Sequence, residues 1–273
     1  MTLSGAWLLA ELKVFGLAVM ANWLRYVFVA GTLYLLLYKT PIGRRGSYRD
    51  PSAEIPRGQI YREIALSSVS CLIFSVSAVA IHAVNPLGVT HIYDDAHRYG
   101  LLILPVTLLA IVVLFDAYFY FTHRMLHVIG VKRSTHYRHH ISVYPTPWAA
   151  LAFSVPEAAI IALFFFLVAT AFPIYISVYR AFIWIVFIQS ALHHSSHKIY
   201  PDGWKTTPIL GWWTTADHHH LHHRFGACNF GLYFTLWDRV LGTEHPDYLN
   251  DPARRGAVAP YDPGVKAKAD AGA

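Results

Sequence analysis

Long apolar runs alternate with short polar ones along most of this chain, and their lengths set the first expectation. A helix of about 20 residues crosses roughly 30 Å of hydrocarbon, and four runs reach that class: residues 64–83, 101–122, 148–172 and 174–192. A fifth, Val14 to Tyr38, is interrupted by Asn22 and Arg25. It reads either as a span with a buried polar contact or as an interfacial helix leading into a short span. Pro173 separates the last two runs, and because proline cannot extend a helical hydrogen-bond ladder, they read as a hairpin that crosses and returns. The expected fold class is all-α: a polytopic membrane helical bundle of four to five spans with a histidine-rich helical cap.

Charge gives that bundle a direction. The segment from Lys39 to Arg62 holds Lys39, Arg44, Arg45, Arg49, Arg57 and Arg62, whereas the connection from Asn85 to Arg98 holds Arg98 alone. Basic loops stay on the cytoplasmic side, so counting spans from there brings residues 123–140 and 193–223 out on the same, cytoplasmic, face. Composition agrees: 55% of residues are hydrophobic and only 14% charged, too few to dress a globular surface in water. The net charge of +6 follows the loop asymmetry, and no nucleic-acid-binding motif accompanies it. Cys71 and Cys228 form neither a disulfide framework nor a CxxC pair and read as free thiols in a reducing compartment. The first residues lack a basic region followed by a cleavage site, so no cleavable signal peptide is expected. Residues 1–250 read as a single integral-membrane domain without internal repeats. The Ala-, Gly- and Pro-rich stretch 251–273 reads as a disordered tail.

Against that background, 17 histidines stand out by number and by spacing. "HRMLH" places His123 and His127 at i, i+4, and "HHSSH" repeats the interval with His193 and His197. "HYRHH" places His136, His139 and His140 at i, i+3, i+4, and the run from Asp217 to Gly226, "DHHHLHHRFG", repeats that interval with His219, His222 and His223. Such intervals put side chains on one helical face. Ten imidazoles exceed what one ion can use, so the pattern points to a dinuclear site of neutral nitrogen ligands, a chemistry open to Fe, Zn, Cu or Ni. His82, His91, His97 and His245 read as ordinary core or interface residues. His194, His218 and His220 lie off the repeated spacing and read as supporting or solvent-facing groups.

Acidic neighbours are few. Asp116, two turns before His123 and inside a span, is a candidate to accept an imidazole N–H, with a hydrogen bond to a neighbouring helix as the alternative. Asp217, Asn229 and Asp238 are weaker supporting candidates, Asp238 being expected to pair with Arg239 or Arg224. Glu157 reads as a helix-start charge. The aromatics Tyr118, Tyr120, Phe121, Trp148, Trp212 and Trp213 are expected mostly in an interfacial belt.

These boxes, closing with "HHLHHRFGACNFGLYFTLWDRVLGT", resemble the fatty acid hydroxylase/sterol desaturase superfamily of membrane di-iron enzymes over residues 100–245. The resemblance implies a membrane helical bundle with a cytosolic cap. Its metal ligands would be His123, His127, His136, His139, His140, His193, His197, His219, His222 and His223, with His194 able to replace His193. It implies an iron pair, exchangeable for zinc on purification, dioxygen as co-substrate, and hydroxylation or desaturation of a fatty acyl, sterol or related lipid. Electrons would come from a separate ferredoxin- or cytochrome-like protein, for which Lys132, Arg133, Lys198 and Lys205 could provide a basic docking face. Two competing readings are an ether-lipid monooxygenase on the same site and a non-enzymatic membrane metal-binding or transport protein. Transport would favour ionisable residues at mid-membrane, and here the histidines gather at span ends.

Overall fold

The computed structural model describes residues 5–46, 55–56, 58–128, 135–201 and 203–249, so the expected tail and the basic residues Lys132 and Arg133 lie outside the described residues. The long helices are α1 (Gly5–Tyr38), α2 (Gln59–Val84), α3 (Ile103–Val128), α5 (Val155–Ala171) and α6 (Ile176–His193). Short helices α4 (Tyr137–His140), α7 (Ala216–Phe225) and α8 (Leu236–Val240) form the cap. Among the described residues, four helices are long and apolar enough to cross a membrane: α1, α2 with its extension to Leu87, α3 and α6. The protein is a helical membrane bundle.

Of the two options for the first span, the chain takes the one with a buried polar contact: α1 is one uninterrupted helix of 34 residues. Asn22 makes this affordable inside lipid, because its amide donates to Ser75 Oγ on α2 (3.1 Å) and its carbonyl accepts from Arg25 (2.8 Å). The run 148–172 is only partly helical. Pro147–Ala149 is a 3-10 turn capped by Thr146, and α5 starts later, with Ser154 accepting from the Glu157 amide and Pro156 in the first turn. Proline fits that first turn and not a helix interior, so the helix cannot begin at Trp148. The resulting 17-residue α5 is the central helix, packed against α2 and α3 with Phe164, Phe165, Val168 and Ala169 buried.

Lipid tails are as apolar as any core, so close packing rather than escape from water holds such helices together. Phe115 of α3 supplies much of it, meeting Phe164 (4.8 Å between centroids), Phe182 (5.4 Å) and Phe165 (6.1 Å). At the end of the bundle far from the histidines, β1 (Ile92–Tyr93) and β2 (Ile174–Tyr175) form a parallel two-residue pair, Ile92 opposite Ile174. At the near end, the segment from Ser142 to Ser154 lies between helices, its carbonyls held by side chains. Trp148 O accepts from Tyr26 and Ser67, and Pro145 O from Ser196. Tyr120 and Trp148 thereby turn inward instead of joining an interfacial belt: Tyr120 is fully buried, its hydroxyl 2.8 Å from Thr243 Oγ1.

Candidate metal centre

Every histidine box stands where a helix begins or ends at one end of the bundle. α3 delivers His123 and His127 on its last turns, α4 follows with His136, His139 and His140, α6 ends at His193 and His194, and α7 presents His219, His222 and His223. Nine of these imidazoles fall into two groups. His123, His127, His136, His140 and His222 form one; His139, His194, His219 and His223 form the other. Within each, one ligand-competent atom per residue lies within 4.8 Å of all the rest. The groups adjoin: the rings of His140 and His223, one from each, are 4.7 Å apart.

The division follows helix geometry. Residues four apart share a face while neighbours diverge by about 100°. On α4 and its cap, His136 and His140 therefore join the first group and His139 the second; on α7, His219 and His223 join the second group and His222 the first. An i, i+3, i+4 triplet is thus a same-face pair plus one residue aimed at the neighbouring centre.

The outer ring nitrogens fix which inner atom carries a lone pair. Nδ1 of His123, His139, His194 and His222 donates to the carbonyls of Phe230 (3.1 Å), Ala152 (3.4 Å), Ser190 (2.6 Å) and Cys228 (2.7 Å), and His136 Nδ1 donates to Glu157 Oε1 (2.7 Å). A carbonyl can only accept, so the proton sits on Nδ1 and the bare Nε2 faces inward. The inward nitrogens are close: His123 to His136 3.0 Å, His136 to His140 2.9 Å, His140 to His222 3.1 Å, His139 to His194 3.2 Å, His194 to His219 3.0 Å. Burial, then neighbouring imidazoles, holds His136, His139, His140, His219 and His222 well below the ordinary histidine pKa, and His194 is brought down to about 4, chiefly by burial. No proton therefore sits between these lone pairs near neutrality, and they repel unless a cation does. Nitrogens bound at about 2.1 Å and at right angles to one another sit about 3.0 Å apart. The donor set fits one first-row ion per group.

His193 and His197 stand outside both groups, and His194, which could replace His193 on sequence, takes the inward place. His193 Nε2 meets Gln189 (2.8 Å) and Thr214 (3.1 Å), and His197 Nδ1 meets Ser195 O (2.5 Å). The physical reason is the end of α6: His194 Nδ1 reaches back to Ser190 O, one turn earlier, and aims Nε2 into the centre.

The acidic candidates meet none of the grouped imidazoles. Asp116 Oδ1 accepts from the amides of Tyr233 (2.6 Å) and Phe234 (3.1 Å), tying α3 to the segment after α7, and touches no histidine. Asp238 pairs with neither expected arginine. It accepts from Phe230 N (2.9 Å), Gly231 N (2.8 Å) and Thr243 Oγ1 (2.7 Å), and lies 3.4 Å from His218 Nε2, while Arg239 pairs with Glu244. Asp217 binds Lys205 and Thr215. Asn229, with a left-handed φ of 56°, donates to His218 O (3.0 Å) and accepts from His245 N (2.7 Å). Glu157 is the residue sequence reasoning missed: its capping position was legible as Ser154-x-x-Glu157, but its carboxylate turns to His136. The Cys228 carbonyl on His222 left no signal at all, because backbone acceptors are independent of residue type.

The fatty acid hydroxylase family matches residues 108–243, which include every box. Human lathosterol oxidase is 30% identical over 68% of this chain and 62% of its own length, and the mouse lathosterol oxidase is 28% identical over 81% and 71%. A Delta(7)-sterol 5(6)-desaturase of Schizosaccharomyces pombe is 30% identical over 56% of this chain and 48% of its own. The chain thus spans less than two thirds of the human relative. No solved structure matches it. Family match, relatives and histidine geometry converge on one conclusion: the chain belongs to the fatty acid hydroxylase/sterol desaturase superfamily.

Proposed function

We propose that the protein is an oxidoreductase of the membrane: an oxygen-dependent hydroxylase or desaturase acting on a lipid at a di-iron centre held by nine imidazoles, His123, His127, His136, His140 and His222 on one ion and His139, His194, His219 and His223 on the other. The observation that carries this is the pair of inward-facing nitrogen clusters at the ends of membrane helices. Iron bound there supplies activation of dioxygen and cleavage of an unactivated C–H bond. The chain itself does the rest. Fixed carbonyls and Glu157 hold His123, His136, His139, His194 and His222 each as one tautomer, and burial keeps water away. Glu157, Asp116 and Asp238 are carboxylates in or beside the cap that offset metal charge or pin its backbone.

The active site faces the cytoplasm, as the basic loop after α1 directs, and electrons arrive from a separate ferredoxin- or cytochrome-like protein. The relatives named for lathosterol and Delta(7)-sterols make a sterol the first substrate to test. Lipid profiles of cells carrying wild-type or His222→Ala protein test the reading. A new species differing by about +16 or −2 mass units, dependent on oxygen and lost in the variant, is expected. Identical profiles, with intact protein in the membrane, contradict it.

A further inference from the structure

Two arginines in the membrane-spanning helices play no part in the metal centre. Arg25 on α1 stands 13 residues before Tyr38, and Arg180 on α6 stands 13 residues before His193. Tyr38 and the end of α6 are at one level, since the Tyr38 hydroxyl donates to Ser195 O (2.9 Å). Both arginines therefore lie about 20 Å from the histidine end, in the opposite leaflet. They also share a face. Trp184, one turn after Arg180 on α6, lies under the Arg25 guanidinium, 5.8 Å from ring centroid to Cζ.

Such a pair is costly in lipid, where isolated cations are paired or aimed at a polar boundary. Among the described residues no carboxylate pairs with either one. Arg180 and Trp184 are exposed at the bundle's outer surface, and Arg25 is half-buried beside them. The Arg25 guanidinium is also held in place: Asn22 donates to Ser75 and turns its carbonyl to the guanidinium, so the fork does not have to be ordered on binding. Arg180 begins about one turn from the start of α6, the depth at which a long side chain reaches the headgroup level.

We propose that Arg25 and Arg180 bind the phosphate of an anionic phospholipid in the leaflet opposite the histidine centre, with Trp184 lying against the glycerol level of that lipid. Two guanidinium groups offer planar donors that match phosphate oxygens. The site is independent of the oxidation chemistry.

Native mass spectrometry of the full-length protein, delipidated and then mixed with equal phosphatidylglycerol and phosphatidylcholine, reads the preference. Each basic group near the surface contributes about fivefold. The wild type should retain phosphatidylglycerol over phosphatidylcholine, and Arg25→Gln/Arg180→Gln should lose about 30-fold of that preference. Arg25→Lys/Arg180→Lys, which keeps both charges, should retain most of it and shows that the fold tolerates change at these positions. Excess inorganic phosphate should not displace the lipid. Equal retention of the two lipids by the wild type, an unchanged preference in the glutamine variant, or displacement by inorganic phosphate would each overturn the proposal.

Discussion

The division of consecutive histidines between two centres is decided residue by residue. His139 and His140, or His222 and His223, are identical in type and adjacent in sequence, yet each pair splits because neighbours on a helix diverge. Spacing made eight of the nine grouped residues legible. Spacing left His194 only as a substitute for His193, because its inward aim depends on a ring-to-backbone bond at the end of α6. Glu157 carries the next test. With its carboxylate on His136, Glu157→Gln should keep the fold and weaken metal retention about 10- to 100-fold in a chelator competition; unchanged retention would reduce Glu157 to a helix cap.

Protonation is a second prediction at this scale. His136, His139, His140, His194, His219 and His222 are held neutral in the folded chain but titrate near 6.5 once unfolded. Between about pH 6.5 and 4 the unfolded chain binds more protons, so stability present above 6.5 is lost as pH falls. The unfolding temperature in detergent should drop across that interval, and a flat profile would contradict the burial of neutral rings.

Among the elements, the apolar pattern found α2, α3 and α6, since a helix in lipid has no competing way to satisfy its backbone, although α2 begins earlier, at Gln59, and α3 continues past residue 122 to Val128. It misplaced the start of α5, because hydropathy counts Trp148 to Leu151 as apolar while Pro147 and Pro156 govern their backbone. The turn after α7 was recognised only as a motif. Its physical content is a backbone cradle: Asp238 gathers the amides of Phe230 and Gly231, and Phe230 O in turn holds His123. A Cβ on Gly231 would come within 2.5 Å of Phe234 O. Gly231→Ala, modest on paper, should therefore cost about 1–3 kcal/mol and lower metal content with it, as read by thermal unfolding and metal analysis. A variant as stable as the wild type would mean the cradle is softer than its contacts imply.

The molecule as a whole places chemistry at one end of a bundle whose far end is tied by the β1–β2 pair and, by the proposal above, by a lipid phosphate. The bundle itself was legible from hydropathy. The meeting of four boxes separated by up to 100 positions, His123 to His223, follows from the spans returning their ends to one side. The central claim is that two adjoining histidine groups each hold one iron, with His194 and not His193 in the second. Iron counted per chain in purified wild type, His193→Ala and His194→Ala proteins tests it most directly. The account predicts one ion for each group in the wild type, the same content in His193→Ala, and loss of the second-group ion in His194→Ala. Iron that disappears with His193 and survives without His194 would contradict it.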